Sequence, residues 1–252
     1  MLTDFKERLR RGDTFIGAFV CLPCPEAAEV MAEIGYDWLI LDTEHGPYGV
    51  LEAQRALQAV GRRYPCVVRV PVNDDVWIKK ALDIGAAGVL VPLVNTAAVA
   101  AHVARACKYA PAGNRGMGLA RAHRYGAGFQ DYVAQANDRV ALIVQAEHIE
   151  AVEQIEAIVR VPGIDGIFVG PYDLSASMGK PGKVSDPDVQ AAIRRVRDAT
   201  LAAGVRLGIY CSDAETARSF LRQGYTLIGM STDIGYLAKA AGDALAAAKQ
   251  KA

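Results

Sequence analysis

Short runs of apolar and β-branched residues recur along the chain, and stretches with helical periodicity separate them. Such runs are typical of buried strands. Eight are found: Phe15–Leu22, Trp38–Glu44, Cys66–Val72, Gly88–Val94, Val140–Glu147, Ile164–Gly170, Arg206–Cys211 and Thr226–Ser231. A period of 3.6 residues predicts helices over Glu26–Ile34, Val50–Val60, Val76–Ile84, Ala97–Tyr109, Ala151–Val159, Val189–Ala203, Ala214–Arg222 and an alanine-rich segment after Tyr236.

Glycine residues punctuate this alternation. Gly35, Gly85, Gly163 and Gly224 each lie between a helical pattern and the next strand, where a left-handed residue commonly ends a helix. Unrelated turn glycines are the alternative, and four equivalent positions favour the helix-ending interpretation.

The chain has eight strand–helix units in 252 residues and no linker rich in Pro, Gly or Ser. This pattern predicts one domain over residues 1–252. The predicted fold class is α/β, a single (β/α)8 TIM barrel. A doubly wound sheet is the alternative. Its glycine-rich phosphate turn is missing, because the first strand runs into Cys21-Leu-Pro-Cys24, and we therefore expect no nicotinamide cofactor.

Two connections are long, Ala110–Asp138 after the fourth strand and Pro171–Asp188 after the sixth. In a barrel, connections that follow strands lie on the C-terminal face, where active sites are found. Arg115 or Arg121 of the first connection is a candidate for a mobile lid that reaches an anionic substrate. A merely flexible connection is the alternative.

Composition and charge exclude several classes of protein. Hydrophobic residues make up 52% and charged residues 22% of the chain, as in ordinary globular domains. Lys plus Arg and Asp plus Glu are 28 each, so no net field attracts nucleic acid or a membrane. The five scattered cysteines are a poor disulfide framework, and no signal peptide or span of about 18 apolar residues is found. We expect a cytoplasmic protein.

Polar side chains cluster where predicted strands end, at the rim that carries active sites. They are Asp42, Glu44 and His45 after the second strand, Arg69 in the third, Gln145 and Glu147 in the fifth, and Asp173 after the sixth. Strand alternation places Gln145 and Glu147 on one face. A buried Arg or Glu without a partner costs several kcal/mol, so these groups are expected to meet one another or a ligand.

Glu147 and Asp173 are the candidate metal ligands, because carboxylates from neighbouring strand ends suit a hard divalent ion. An ion pair with Arg69 is the alternative for Glu147, and an N-cap is the alternative for Asp173. His45 is a candidate general base whose tautomer a carboxylate fixes. A turn histidine bonded to backbone is its alternative.

Five ordered motifs resemble the HpcH/HpaI aldolase family, whose members are metal-dependent class II pyruvate aldolases related to citrate lyase β subunits. They are Gly35–Pro47, Val68–Pro71, Ile78–Ala86, Pro111–Gly118 and Phe168–Ser175. The resemblance implies a divalent metal (Mg²⁺, Mn²⁺ or Co²⁺). It also implies reversible cleavage of 4-hydroxy-2-oxo acids to an aldehyde and pyruvate, or a close 2-oxo acid such as hydroxypyruvate.

The resemblance also implies residue roles. Glu147 and Asp173 match the metal ligands, Arg69 the arginine on the keto oxygen, His45 the acid/base residue and Gln145 a pyruvate neighbour. Asp42 is a further candidate catalytic residue beside His45. Gly170, Tyr172, Asp173 and Leu174 are candidate substrate-binding residues, since backbone amides there can hold the pyruvate carboxylate. His148 and Tyr172 depart from the common pattern and are expected to shape the acceptor pocket.

Asp83 lies in the last turn of a predicted helix, where the helix dipole disfavours a negative charge. A surface pair with Lys79 or Lys80 is the local interpretation. The family resemblance implies instead that Asp83 pairs with His45 of an adjacent subunit. It therefore implies a homo-oligomer, a hexamer, with active sites shared between subunits.

Two other functions stay open on the sequence. One is a citrate-lyase-β or malyl-CoA type lyase, which would need a basic groove for CoA phosphates, and no concentrated basic run is present. The other is a barrel that binds a small carboxylate without catalysis. None of the eight predicted strands contains a lysine, so we expect neither a Schiff-base lysine nor PLP.

Overall fold

The structure, a computed structural model, describes residues 3–249. Eight parallel strands close into a barrel in the order β1 to β8. They are β1 (Phe15–Val20), β2 (Trp38–Asp42), β3 (Cys66–Arg69), β4 (Gly88–Val91), β5 (Ala141–Ala146), β6 (Gly166–Val169), β7 (Arg206–Cys211) and β8 (Leu227–Thr232). The predicted (β/α)8 fold is confirmed, and the doubly wound alternative is wrong.

Helices surround the barrel and alternate with its strands. They are α1 (Phe5–Arg11), α2 (Pro25–Glu33), α3 (Val50–Ala59), α4 (Asp75–Asp83), α5 (Ala97–Ala106), α6 (Phe129–Arg139), α7 (Ile149–Glu153), α8 (Ile155–Ile158), α9 (Pro171–Ser177), α10 (Pro187–Ala202), α11 (Ala214–Arg222) and α12 (Asp233–Lys249). The predicted helix over Ala151–Val159 is two short helices, α7 and α8. Within residues 3–249, no helix has the length and apolar character needed to cross a lipid bilayer.

The four junction glycines have left-handed backbone conformations, as predicted. Their φ angles are 98° at Gly35, 92° at Gly85, 101° at Gly163 and 92° at Gly224. Other residues rarely adopt this region. Gly35, Gly85 and Gly224 directly follow the C-caps of α2, α4 and α11 and end these helices. Gly163 does not end a helix, because α8 already ends at Ile158 with Val159 as its C-cap; it lies in the turn before β6.

Helix α1 closes the N-terminal end of the barrel. Its Phe5 stacks on Trp38 at 5.8 Å and meets Phe15 edge-on at 4.9 Å between ring centroids. The Lys6 ammonium is buried there, 2.9 Å from the Val140 carbonyl oxygen and 2.9 Å from Asp165 Oδ2. Because this end is sealed, the open end of the barrel is the C-terminal one.

The connection Ala110–Asp138 does not lie at the open end, which corrects the expected lid. Helix α5 follows β4 and reverses the chain, so the segment after it lies at the N-terminal ends of the strands. Arg121 is buried and donates hydrogen bonds to the carbonyl oxygens of Leu57 and Ile84, at 2.7 and 2.9 Å. It therefore anchors this segment to the ends of α3 and α4. Pro171–Asp188 begins with α9 directly after β6 and lies at the C-terminal face as predicted.

Candidate active site

A cavity of about 420 Å³ opens at the C-terminal rim of the barrel. Seven of the predicted site residues line it: Asp42, His45, Arg69, Gln145, Gly170, Tyr172 and Asp173. Phe19, Cys21, Phe168, Tyr210 and Thr232 also line it and were not among the predicted residues. The sequence prediction therefore identified the charged residues of the cavity and Tyr172, and missed its other aromatic rings, Phe19, Phe168 and Tyr210.

Arg69 is held by two acids, one at the end of the neighbouring strand β2 and one in the turn that follows it. Strand register places Asp42 beside Arg69, and the pair is bidentate, with Nε–Oδ1 at 2.9 Å and Nη2–Oδ2 at 2.7 Å. Glu44 Oε2 lies 3.2 Å from Nη1, an ion pair without hydrogen-bond geometry. Burial alone would raise the pKa of Asp42, but the Arg69 guanidinium outweighs it and holds that pKa below its usual value.

Asp42 also shapes the turn that carries His45. Its Oδ1 accepts hydrogen bonds from the backbone N–H groups of Glu44 and His45, at 3.1 and 3.2 Å. The His45 side chain is 61% exposed, and its Nε2 lies 3.9 Å from Glu44 Oε2. The carboxylate near the imidazole is thus Glu44, and Asp42 acts on the turn and on Arg69.

Glu44 was not among the predicted catalytic or ligand residues. Burial raises its pKa to about 7; the charges of Asp42 and Asp173 add to this effect and that of Arg69 opposes it. The signal was present in the sequence, because residues two apart in an extended segment share a face. Asp42 and Glu44 have that spacing in the predicted strand Trp38–Glu44, although β2 ends at Asp42 and Glu44 lies in the turn that follows.

Glu147 is almost fully buried behind the cavity. It accepts a hydrogen bond from the Leu93 backbone N–H at 2.9 Å and another from the Gln145 amide nitrogen. Leu93 has φ 52°, an uncommon conformation for a residue other than glycine. Burial raises the pKa of Glu147 to about 7, and the nearby charges of Glu44 and Asp173 raise it further.

Gly170 makes room for this arrangement. A Cβ atom at this position would lie 2.9 Å from Glu147 Cβ and 3.0 Å from Glu147 Oε2. Any larger residue would therefore displace the glutamate. The alternative interpretation of Glu147, an ion pair with Arg69, is wrong: no such pair is among the ion pairs of residues 3–249, since Arg69 faces Asp42 and Glu44.

Asp173 is the third residue of α9, whose N-cap is Gly170 and has no side-chain cap. The N-cap interpretation of Asp173 is therefore wrong, and its exposed carboxylate is free for other partners. The Leu174 backbone N–H donates to the Gly170 carbonyl oxygen at 3.0 Å. The expected contribution of Leu174 to carboxylate binding is thus corrected: of the amides around Tyr172–Leu174, those of Tyr172 and Asp173 remain available.

The donor set fits a hard divalent cation. Glu44, Glu147 and Asp173 converge near a single guanidinium that is already paired with Asp42. The buried oxygens Glu44 Oε2 and Gln145 Oε1 have no hydrogen-bond partner within residues 3–249. No group of three His, Cys, Asp or Glu side chains in that range is arranged to hold a metal alone. A cation on Glu147 and Asp173 would take its remaining oxygens from water or substrate.

Asp83 and His148 have partners that the sequence did not reveal. Asp83 Oδ1 lies 2.7 Å from Nη2 of Arg115, whose side chain is fully buried. Neither Lys79 nor Lys80 pairs with Asp83 among the described residues, so the local interpretation is wrong. The expected role of Arg115 in a lid is also wrong. His148 accepts the Glu150 backbone N–H at 3.2 Å and caps α7.

A parallel (β/α)8 barrel with acids and an arginine at its C-terminal rim is the architecture of a barrel enzyme. Residues 16–240 match the family described as HpcH/HpaI aldolase/citrate lyase. The chain is 42% identical over 240 residues to a 4-hydroxy-2-oxovalerate aldolase of Rhodococcus jostii, covering 94% of this chain and 93% of that protein. It is 44% identical over 234 residues to a hydroxypyruvate/pyruvate aldolase of Chromohalobacter salexigens, covering 91% of each.

A solved structure of an HpcH/HpaI aldolase/citrate lyase family protein from Burkholderia cenocepacia superposes with a TM-score of 0.93. It is 37% identical and covers 98% of this chain and 99% of its own. The chain therefore belongs to the HpcH/HpaI aldolase/citrate lyase family.

Proposed function

We propose that the protein is a class II pyruvate aldolase, a carbon–carbon lyase that reversibly cleaves 4-hydroxy-2-oxo acids. The observation that carries this proposal is the convergence of Glu147, Asp173 and Arg69 at one rim of the barrel. Membership of the family and aldolase relatives at 42 and 44% identity support the same reaction.

Pyruvate, or hydroxypyruvate, binds in the 420 Å³ cavity. Its carboxylate takes the backbone N–H groups of Tyr172 and Asp173, which the first turn of α9 leaves without partners. Its keto oxygen faces Arg69. Glu147 and Asp173 would hold the divalent ion (Mg²⁺, Mn²⁺ or Co²⁺), which would supply a Lewis acid for the developing negative charge.

Cleavage begins at the 4-hydroxyl group, whose proton passes to His45. The C3–C4 bond breaks, the hydroxyl carbon becomes the aldehyde carbonyl, and the electron pair moves into the enolate of pyruvate. Arg69 stabilises the charge on that enolate oxygen, the contribution expected of a fixed donor in a dry site. His45 then returns the proton, to C3 of the enolate, which becomes the methyl group of the released pyruvate. Within the subunit, Glu44 Oε2 lies 3.9 Å from the His45 Nε2.

The test is aldol addition of pyruvate to an aldehyde, followed with and without Mn²⁺. Activity lost on adding a chelator and restored by metal supports the proposal, and activity insensitive to chelator contradicts it. Borohydride with pyruvate should leave activity intact, because Lys6, the one buried lysine of residues 3–249, lies at the opposite end of the barrel. A trapped adduct would assign class I chemistry, and turnover of an acyl-CoA alone would assign the malyl-CoA type of lyase.

We also propose that the protein assembles as a homo-oligomer with shared active sites. The hexameric number is taken from the family resemblance. Support on this chain comes from the exposed His45 ring and from the Asp83 carboxylate, which stays 21% exposed beside Arg115. A cytoplasmic location is proposed as well, since all five cysteines are free thiols.

A further inference from the structure

Three aromatic rings form a continuous wall on one side of the cavity. Tyr172 meets Tyr210 edge-on at 5.9 Å between ring centroids, and Tyr210 meets Phe19 edge-on at 5.7 Å. Phe19 is buried, whereas Tyr172 is 48% exposed at the mouth. The wall therefore runs from the barrel interior to the solvent and offers a face for an apolar group.

The inner ring of the wall, Phe19, has the Arg69 guanidinium over it, with Cζ 4.8 Å from the ring centroid. Within residues 3–249, no cation lies over the Tyr172 or Tyr210 ring at the outer part of the cavity. Of its lining residues, only Arg69 and His45 are basic, and they belong to β3 and to the turn after β2. Tyr172 follows β6, which is four strands away from β2 in the closed ring. The Arg69 guanidinium is moreover bound by Asp42 and Glu44. The Tyr172 and Tyr210 rings thus lack an unpaired cation for a negatively charged substituent.

A carboxylate moved from water against an apolar wall without a partner is strongly disfavoured. An aliphatic or aromatic substituent gains by leaving water, and aromatic edges and faces pack well against it. Tyr172 also directly precedes Asp173, one of the two residues assigned to the cation. Its ring therefore lies next to the position that the 2-oxo acid takes under the proposed function.

We propose that Tyr172 and Tyr210 bind the acceptor half of the substrate, and that the acceptor is an uncharged aldehyde with an aliphatic or aromatic substituent. An aldehyde with a second carboxylate is disfavoured. Tyr172 is the specificity-determining residue. This inference rests on the proposed function, because it concerns the partner of the pyruvate enolate in the same site.

The experiment compares two acceptors of equal carbon number, butanal and succinic semialdehyde, in aldol addition with pyruvate and Mn²⁺. They differ in a terminal methyl against a terminal carboxylate. We expect kcat/KM for butanal to exceed that for succinic semialdehyde by about tenfold or more in the native enzyme, the range in which one pocket contact discriminates substrates.

Variants at position 172 locate the cause of the preference. Tyr172→Phe keeps the ring and should keep the ratio of the two kcat/KM values. Tyr172→Ala should lower the ratio of kcat/KM for butanal to kcat/KM for succinic semialdehyde about tenfold. Tyr172→Arg should invert this ratio, because the guanidinium gives the carboxylate of succinic semialdehyde a partner. Both kcat/KM values are measured on the same variant, so a general loss of activity cancels in their ratio and only a change in specificity remains. Circular dichroism checks that each variant is folded.

Two outcomes overturn the inference alone: a preference for succinic semialdehyde in the native enzyme, or a ratio that does not move in Tyr172→Ala and Tyr172→Arg. A separate measurement identifies failure of the proposed function. Exchange of the pyruvate methyl protons in D₂O, followed by NMR without aldehyde, reports enolate formation in the native enzyme. If neither exchange nor aldol addition occurs, the proposed function fails, and the acceptor assignment falls with it.

Discussion

Asp42 and Glu147 are both buried acids at the rim, and their neighbours move their pKa values in opposite directions. Asp42 faces the Arg69 guanidinium on two oxygens, so its pKa is lowered. Glu147 receives only uncharged N–H donors, and burial raises its pKa to about 7. An acid held in this way gains most from a cation, which supports the assignment of Glu147 as a metal ligand.

We predict that Glu147→Gln lowers kcat of aldol addition at saturating Mn²⁺ by about 10²-fold or more, because the cation loses an anionic ligand. The melting temperature should stay close to that of the native protein, since the amide keeps an acceptor for the Leu93 N–H. Glu215→Gln, an exposed Glu in α11, is the matched control. Full activity of Glu147→Gln would contradict the assignment.

His123 gives a prediction for stability at acid pH. Its ring is buried, with Nε2 3.1 Å from the Tyr109 hydroxyl and Nδ1 without a hydrogen-bond partner in residues 3–249. Burial lowers the pKa of His123 below its ordinary value, and the charge of Arg115 lowers it further. The unfolded chain, with a histidine pKa of about 6.5, then binds a proton before the folded protein does.

The stability contributed by neutral His123 is therefore fully present above about pH 6.5 and is lost as the pH falls towards its lower folded pKa. We expect the melting temperature to drop between pH 7.5 and 5.5, and to drop less in His123→Phe, which packs beside Phe129 and Tyr132. Thermal unfolding of both proteins at the two pH values measures this. Equal drops would show that His123 does not titrate differently on folding.

The site residues that the sequence revealed are those with polar side chains at strand ends. Arg69, Gln145 and Asp173 were found because a charged or amide group at the rim of a barrel has no role in packing. Tyr210 and Phe19 were missed because an aromatic residue in a strand is expected in the core. Their place in the cavity wall depends on the order of the eight strands in the closed barrel, which the sequence does not show residue by residue.

At the scale of elements, the periodic patterns predicted every strand but extended several beyond their ends. The predicted segment Cys66–Val72 is a strand only to Arg69, and Gly88–Val94 only to Val91. Apolar residues continue past the last ladder hydrogen bonds because the loops of the rim are also packed. The hydrophobic pattern predicts which residues are buried, and the buried segments include more residues than the hydrogen-bonded strands do.

The position of Ala110–Asp138 was mispredicted for a related reason. The sequence showed a long connection between two strands, but not that helix α5 comes before its irregular part. Which end of the barrel a loop occupies depends on whether it precedes or follows the helix of its unit. Arg115 and Arg121 therefore stabilise the N-terminal side and do not reach the substrate cavity.

Helix α1 is fixed to the barrel by a buried ion pair. Lys6 and Asp165 are almost completely buried, with Nζ–Oδ2 at 2.9 Å, and Asp165 also accepts the Leu142 N–H at 2.9 Å. Removing one partner of such a pair leaves an uncompensated buried charge, at a cost of about 3–5 kcal/mol.

We predict that Asp165→Ala lowers the melting temperature by about 10 °C, since 1 kcal/mol corresponds to about 2–4 °C in a protein of this size. The double variant Lys6→Met/Asp165→Asn should recover most of the loss, because it removes both charges and keeps an acceptor for Leu142. Differential scanning calorimetry measures both. A double variant as unstable as Asp165→Ala would show that packing of α1, and not the charge pair, sets the cost.

At the scale of the whole molecule, one segment exposes several large apolar side chains to solvent. Met117, Leu119 and Tyr125 are more than half exposed and lie in the segment that follows α5. Arg115 connects this segment to Asp83 at the end of α4. Neighbouring exposed apolar side chains are typical of interfaces between proteins. This surface therefore supports the proposed assembly of several copies of the chain.

Asp83 links this surface to catalysis in the proposed oligomer. Its carboxylate lies at the end of α4, where Arg115 offsets the unfavourable helix dipole. Helix C-termini lie at the N-terminal end of the barrel, about 20 Å from the rim for a strand of six or so residues. Asp83 therefore cannot reach the His45 ring of its own subunit. The imidazole, 61% exposed, is open to a carboxylate from another subunit.

Mixing two inactive variants tests this arrangement. Asp83→Asn keeps an acceptor for Arg115 and should be inactive for lack of the anionic partner, while His45→Ala lacks the acid/base group. Co-refolded mixtures should regain part of the native kcat, because some interfaces then combine an intact His45 with an intact Asp83. Mass spectrometry of differently tagged chains verifies that mixed oligomers form. If they form and no activity returns, or if a dilute monomer is fully active, Asp83 serves only to hold Arg115 within its own subunit.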